Sequence, residues 1–274
     1  MNIFRVLMLG DIVGRPGRHA IRDRLHGWRE QYKIDLVHAN GENASGGNGL
    51  TVKNAGELLE WGLDLITSGN HIWKQKDYQL LFEKYENVLR PANYPENLPG
   101  KGFGTVKIGD VSVGFLNLQG RVFMDPIDCP FVEADRQIAA HSDIGIILVD
   151  FHAEATSERI AMGRYLDGRV AAVMGTHTHV PSADCRILSG GTAYMTDLGM
   201  VGPIESVLGV DPDTIIKRFL TGLPERFEVA KGAVICSGAI ISIDPALGKP
   251  VNIERFEERY LPTDPDFIGQ NQGE

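Results

Sequence analysis

The feature that most constrains this chain is a repeated alternation of short apolar runs with helical patterns. Runs rich in Val, Ile and Leu read as strands at 4–9 (FRVLML), 35–39 (DLVHA), 64–68 (DLITS), 111–118 (VSVGFLNL), 145–151 (GIILVDF) and 171–175 (AAVMG). Such runs belong to strands covered on both faces, as in sheets sandwiched between helical layers. Helices fit the stretches between them. One carries Pro16 in its first turn and Ile21, Leu25 and Trp28 along one face. Others fit 51–62, 77–85 and 131–141, and a further one begins after Thr156 and runs through Tyr165.

The last third changes character. GGTAYMTDLG, RFEVAKGAVICSGAIISID and VNIERF read as shorter, partly antiparallel strands separated by Gly and Pro turns. No internal repeat, low-complexity segment or Ser-rich linker divides the chain. Residues 1–274 are therefore expected to form a single α/β domain, with a tail from about 264 to 274 that frays.

Composition narrows the partners. The formal net charge of -9 argues against binding duplex nucleic acid, which requires a basic face to release counterions. A small phosphate ester remains compatible if metal ions supply local positive charge. Cys129, Cys185 and Cys236 are odd in number and form no CxxC pair, which fits a reducing cytoplasm and suggests neither a disulfide framework nor a thiolate zinc site. No apolar stretch approaches the roughly 20 residues of a membrane span. The opening MNIFRVLMLGD reads as a first strand, not a signal peptide.

Ligands of open α/β sheets gather beyond the carboxyl ends of parallel strands. The first delivers Asp11; the second, through NGENASGGNG, delivers Glu42 and Asn43; the third, through GNH, delivers Asn70 and His71. GIILVDF ends in His152, and AAVMG runs into GTHTHV with His177 and His179. Each feature alone has a packing or turn explanation, but five strand ends carrying oxygen or imidazole donors are hard to assign to accident. Carboxylate, amide and imidazole together suit Zn, Mn or Fe better than Ca or Mg. The donors outnumber what one ion takes, so two ions sharing a carboxylate are expected. His177 and His179, alternate residues of an extended segment, are expected to point the same way. His19, His26 and His141 are read as surface residues, and His38, just before the GEN turn, as a packing residue or a partner that supports a ligand from behind.

The motifs GDIVGRPGR, NGENASGGNGL, SGNHIW, LRPANYP, NLQGR, DFHAEATSE and GTHTHV are together similar to the calcineurin-like metallophosphoesterases. They resemble most the YmdB-like branch of bacterial phosphodiesterases, over Asp11 to about Lys217. The resemblance implies a four-layer αββα sandwich of two mixed β-sheets flanked by helices. It implies Asp11, Glu42, Asn43 and His179 around a first metal and Glu42, Asn70, His152 and His177 around a second, bridged by Glu42. His71 becomes the general acid. Two departures from the wider superfamily are shared with the branch: Val13 stands where a histidine is usual, and Glu42 where an aspartate bridges. Asn43 is then either a replacement ligand or a contact to the substrate phosphate.

The activity implied is hydrolysis of small phosphodiesters, specifically nucleoside 2',3'-cyclic phosphates to 3'-phosphates. A water acidified between two ions attacks phosphorus and His71 protonates the leaving oxygen. The metals implied are Fe with Fe or Mn, with Mn or Zn as alternatives. The same donors would also serve a phosphomonoesterase such as a nucleotidase, or a metal-stabilised nucleotide-binding regulator without turnover. A metal-dependent amidohydrolase fits less well, because its His-x-His opens the chain. The glycine-rich loop 43–49 is expected to form either a nest of backbone amides or a mobile rim. A homo-oligomer is expected from symmetry alone.

Overall fold

Neighbouring side chains of a strand face opposite ways, and the first strand shows what that builds here. Val6 and Met8 enter one apolar cluster with Phe115, Leu148 and Met174, while Leu7 and Leu9 enter another with Ile21, Leu25 and Trp28. A third cluster joins Leu116, Val149, Phe151 and Val173 to Ala134 and Met162. Reading across, helix packs on sheet, sheet on sheet and sheet on helix.

In the computed structural model, which describes residues 3–262, the chain runs β1 (Phe4–Ile12), α1 (Gly14–Tyr32), β2 (Leu36–Asn40), α2 (Val52–Glu60), β3 (Leu65–Thr67) and α3 (Tyr78–Lys84). It continues through β4 (Phe103–Ile108), β5 (Val111–Gln119), α4 (Pro130–Ala140), β6 (Ile146–His152), α5 (Thr156–Tyr165) and β7 (Ala172–Thr176). The remainder holds β8 (Arg186–Ile187), β9 (Ala193–Met195), β10 (Met200–Pro203), α6 (Pro212–Thr221), β11 (Val234–Asp244) and β12 (Lys249–Tyr260). One sheet has the order β12-β11-β10-β1-β2-β3 and the other β4-β5-β6-β7-β9-β8. Both are mixed: β1, β2 and β3 are parallel neighbours, as are β5, β6, β7 and β9, while β11, β12 and β4 pair antiparallel. This is the expected αββα sandwich.

Several local expectations need correction. β4 is a strand absent from the sequence reading, and β11 and β12 form a long hairpin, not short strands. α6 lies in a region expected to hold only strands, although Asp211 caps it through Thr214 N, Pro212 opens it and Gly222 closes it at φ 69. His19 is buried, because it follows α1 inward beside Ala20 and Ile21. His141 stacks on Phe103 with ring centroids 3.7 Å apart, and only His26 of these three is exposed. The tail expected to fray lies outside the described residues.

Candidate metal centre

The parallel strands β1, β2 and β3 of one sheet and β6 and β7 of the other end at a common edge, and the candidate side chains meet there. Asp11 sits within the last turn of pairing of β1, opposite Asn40 on one side and Met200 on the other. Asn40 Oδ1 accepts the Glu42 amide at 3.0 Å, which fixes the turn after β2. Glu42, Asp11 and His152 are fully buried.

Donor atoms converge on one point. His152 Nε2 lies 3.1 Å from Glu42 Oε1, 3.2 Å from Asn70 Oδ1 and 2.9 Å from His177 Nδ1. A single ring nitrogen has one proton to give, so three electron-rich atoms around it are more than hydrogen bonding uses. Ligand atoms of Glu42, His152 and His177 all lie within 4.8 Å of one another. On the other side, His179 Nε2 is 3.1 Å from Asn43 Nδ2 and 3.9 Å from Asp11 Oδ1.

The outward nitrogens of the three histidines are each tied down. His152 Nδ1 bonds Thr176 Oγ1 at 2.9 Å, His177 Nε2 faces Glu154 at 3.2 Å and His179 Nδ1 donates to the Leu208 carbonyl at 2.9 Å. That leaves the other nitrogen of each ring free to present a lone pair inward, the arrangement in which ligating histidines are held. Thr176 in turn donates to Asp150 Oδ1 at 2.7 Å, and Asp150 also accepts from Asn40 at 3.0 Å and from Thr67. His38 joins this buried network through Thr67 Oγ1 at 2.7 Å, stacked on Phe115. Asp150, Thr176, Thr67 and Asn40 escaped the sequence reading; an aspartate inside the apolar run IILVDF was the signal available.

Electrostatics asks for a cation. Burial raises the Asp11 carboxyl to about 7 against the pull of His179 and His152, and Asp11 Oδ1 has no hydrogen-bond partner. Burial opposes charge on His152 too, yet Glu42 and Asp11 outweigh it and raise the imidazole to about 9. Glu42 is likewise pushed up by burial but brought below the usual carboxylate range by His152 and His71. His177 falls to about 3 through burial and the neighbouring His152, leaving it neutral as a ligand must be. Buried carboxylates require pairing or a metal. The donor set fits divalent transition metals.

The His-x-His segment does not run extended. Past β7, His177 has φ 108 and His179 φ 64; the His177 ring reaches His152 at 2.9 Å, while the His179 ring reaches Asn43 at 3.1 Å. Asp197 secures the bend by accepting from Thr178 N at 3.1 Å and Thr178 Oγ1 at 2.7 Å. Gly69 is the other local requirement: a Cβ there would lie 2.5 Å from Glu42 Oε2 and closer still to the His152 ring.

His71 stands at the mouth. Its backbone N donates to Glu42 Oε2 at 3.0 Å, and Nδ1 donates to Asn43 Oδ1 at 2.7 Å. Asn43 therefore turns its carbonyl to His71 and its NH₂ to Glu42 and His179. Burial holds His71 below the ordinary imidazole value, with Glu42 opposing. His71 and His179 line a cavity of about 620 Å³ together with Val13, Lys74, Leu208 and Val229. Trp73 packs on Tyr78, Phe82 and Tyr94. In the loop 43–49, the amides of Ser45, Gly47 and Asn48 bond within the loop, so those three form no open nest.

Fold and site together define a calcineurin-like metallophosphoesterase. The chain belongs within it to the YmdB-like family: a profile described as YmdB-like protein matches residues 7–256. It is 50% identical over 253 residues to the 2',3'-cyclic-nucleotide 2'-phosphodiesterase of Bacillus subtilis, covering 92% of this chain and 96% of the relative. A phosphatase of Mycoplasma pneumoniae superposes with a TM-score of 0.89 at 36% identity, over 97% of this chain and 96% of that one. A hypothetical protein of Thermus thermophilus superposes equally well, with a TM-score of 0.89, 43% identity and 94% and 100% coverage. At 14% identity and a TM-score of 0.58, a 5'-nucleotidase-like protein of Staphylococcus aureus shares the fold.

Proposed function

We propose that this protein hydrolyses nucleoside 2',3'-cyclic phosphates to 3'-phosphates, as a metal-dependent phosphodiesterase. The observation that carries the reading is the convergence of Glu42, Asn70 and His177 on His152 Nε2, with all three histidines tied at their outer nitrogens. The activity of the Bacillus relative at 50% identity supports the same substrate class.

Asp11, Glu42 and His179 would hold one ion and Glu42, Asn70, His152 and His177 the other, with Asn43 beside the first. Bound there, a metal pair acidifies a water and neutralises charge on the phosphoryl oxygens. The chain's own residues do the rest. His152 is oriented by Thr176 and Asp150, so its inward nitrogen would present a lone pair once the proton that Glu42 and Asp11 favour there is displaced by a cation. Water adds to phosphorus as the bond to the ribose 2'-oxygen breaks, and that oxygen requires a proton. His71 supplies it from Nε2 in its doubly protonated form, which Glu42 favours against the burial that lowers its pKa, while Nδ1–H is held by Asn43 and the ring faces the cavity. The metals proposed are Fe with Fe or Mn, Mn and Zn being admitted by the same donors.

No helix among the described residues is long and apolar enough to cross a membrane. A cytoplasmic location is part of the proposal, supported by free Cys129, Cys185 and Cys236. Self-association belongs to it as well, supported by the exposed Ile216, Phe219 and Leu220 of α6.

The test is chromatographic. Incubation with 2',3'-cyclic AMP is expected to release 3'-AMP and no 2'-AMP. Faster release of phosphate from mononucleotides would favour the nucleotidase reading. Binding of the cyclic nucleotide without product would favour the regulator.

A further inference from the structure

Beyond the site cavity lies a second one of about 590 Å³, lined among others by Arg15, Arg18, Arg226 and Lys231. The two are contiguous, sharing Ser45, Gly46, Gln75, Arg226, Phe227 and Val229 along their common wall. Four cationic side chains therefore gather within reach of the metal edge in a chain of net charge -9. Opposing them are Glu228, which lines both cavities, and Glu57, whose carboxylate is 3.8 Å from Arg18 Nε. Arg18 also donates to the Ala44 carbonyl, so it serves the loop as well as the pocket. Arg226 and Lys231 are exposed and have no ion-pair partner among the described residues.

The arrangement matches a nucleotide that reacts at its ribose 2',3' edge. With the cyclic phosphate at Glu42 and His71, the 5' side of the ribose extends away from the metals, and Phe227 lies at the junction as an apolar face. Aromatic surface flanked by basic groups is how single-stranded nucleic acid is held without reading its sequence. A cationic pocket next to the metal edge would otherwise have no counterpart on a cyclic mononucleotide, whose single phosphate is already placed.

We propose that the Arg15, Arg226 and Lys231 pocket binds a second phosphate on the 5' side of the reacting ribose, so that the preferred substrates are 3' ends of oligoribonucleotides carrying a 2',3'-cyclic phosphate. This rests on the reading of the first cavity as a cyclic-phosphate site. No new bond is broken: the water, the 2'-oxygen leaving group and the His71 proton are those already assigned. A duplex is not required, since one phosphate and one ribose reach the pocket.

The test compares adenosine 2',3'-cyclic phosphate, its 5'-phosphorylated form and the dinucleotide ApA with a terminal 2',3'-cyclic phosphate. Each is assayed with the wild type and the R15Q/K231Q double variant as metal-loaded full chain. For the wild type, kcat/KM is expected to rise about 10-fold or more when a 5' phosphate is present, through KM, as a charge-assisted contact implies. The double variant is expected to lose that gain and to turn over the unsubstituted cyclic nucleotide within about twofold of wild type, both positions being exposed and lining the second cavity but not the first. A gain for the dinucleotide alone identifies the linking diester as the ligand; a gain for the 5'-monoester alone identifies a terminal phosphate and overturns the oligonucleotide preference. Equal kcat/KM for all three substrates in the wild type overturns the inference while leaving the cyclic phosphodiesterase reading standing. So does a double variant that slows all three alike. No turnover of any of the three contradicts the underlying reading, and the inference falls with it.

Discussion

Gly69→Ala tests the packing of the centre without touching a proposed ligand. The added methyl would sit 2.5 Å from Glu42 Oε2, with the His152 ring nearer still. Ordinary contact is about 3.5 Å, so Glu42 must retreat by roughly 1 Å and His152 by more. A constellation of this kind works within about 0.5 Å of its productive geometry, and a misplacement near 1 Å costs on the order of 100-fold in rate. Both residues are fully buried in close-packed surroundings, so neither has slack to give. The expected variant is folded, destabilised by about 1 to 3 kcal/mol from overpacking, depleted in metal and slowed about 100-fold or more. Gly27→Ala is the matched control, since a Cβ there meets nothing within 4 Å. Metal content by elemental analysis, thermal melting and turnover of 2',3'-cyclic AMP are read on both. Full metal content with turnover within threefold of wild type in Gly69→Ala would refute the reasoning.

His71→Ala is expected to keep its metal content and lose about 10² to 10⁴ in turnover of ribose esters, with a smaller loss on aryl diesters whose leaving group needs no proton. Metal analysis beside the two rates checks this, and loss of metal would make His71 a ligand. Asp150→Asn puts an NH₂ where Asp150 Oδ2 now accepts from Asn40 and Thr67. It is expected to weaken metal affinity about 10- to 100-fold, measured by competition with a chelator, through loss of the Thr176 and His152 alignment. Glu42→Gln is expected to lose metal and activity together; a fully active variant with two ions would remove the bridging role.

The order of elements was legible because the buried strands are apolar runs and α1 presents Ile21, Leu25 and Trp28 at helical spacing. The candidate site residues follow from a related pattern: Asp11, Glu42, Asn70 and His152 stand at or just past strand ends, and the structure brings them together at one edge. Side-chain direction was not legible. His177 and His179 diverge because both backbones take positive φ, a conformation held by Asp197 from 18 or more residues away in sequence, and no local pattern announces it. Asp150 reads locally as a strand residue, because its partners Asn40, Thr67 and Thr176 come from three other strands. β4 escaped because its burial comes from pairing with β5, with Thr105 and Lys107 facing outward. α6 carried its signals openly in Asp211, Pro212 and Gly222, and only the surrounding glycines obscured them.

The metal content of the native protein bears most directly on the account. Purified without chelators, the chain is expected to carry two equivalents of transition metal, and their removal is expected to abolish turnover and lower the melting temperature, because a ligand bound to the folded state alone stabilises it. Full turnover by protein holding less than one equivalent would contradict the assignment of Asp11, Glu42, Asn70, His152, His177 and His179 to a two-ion centre.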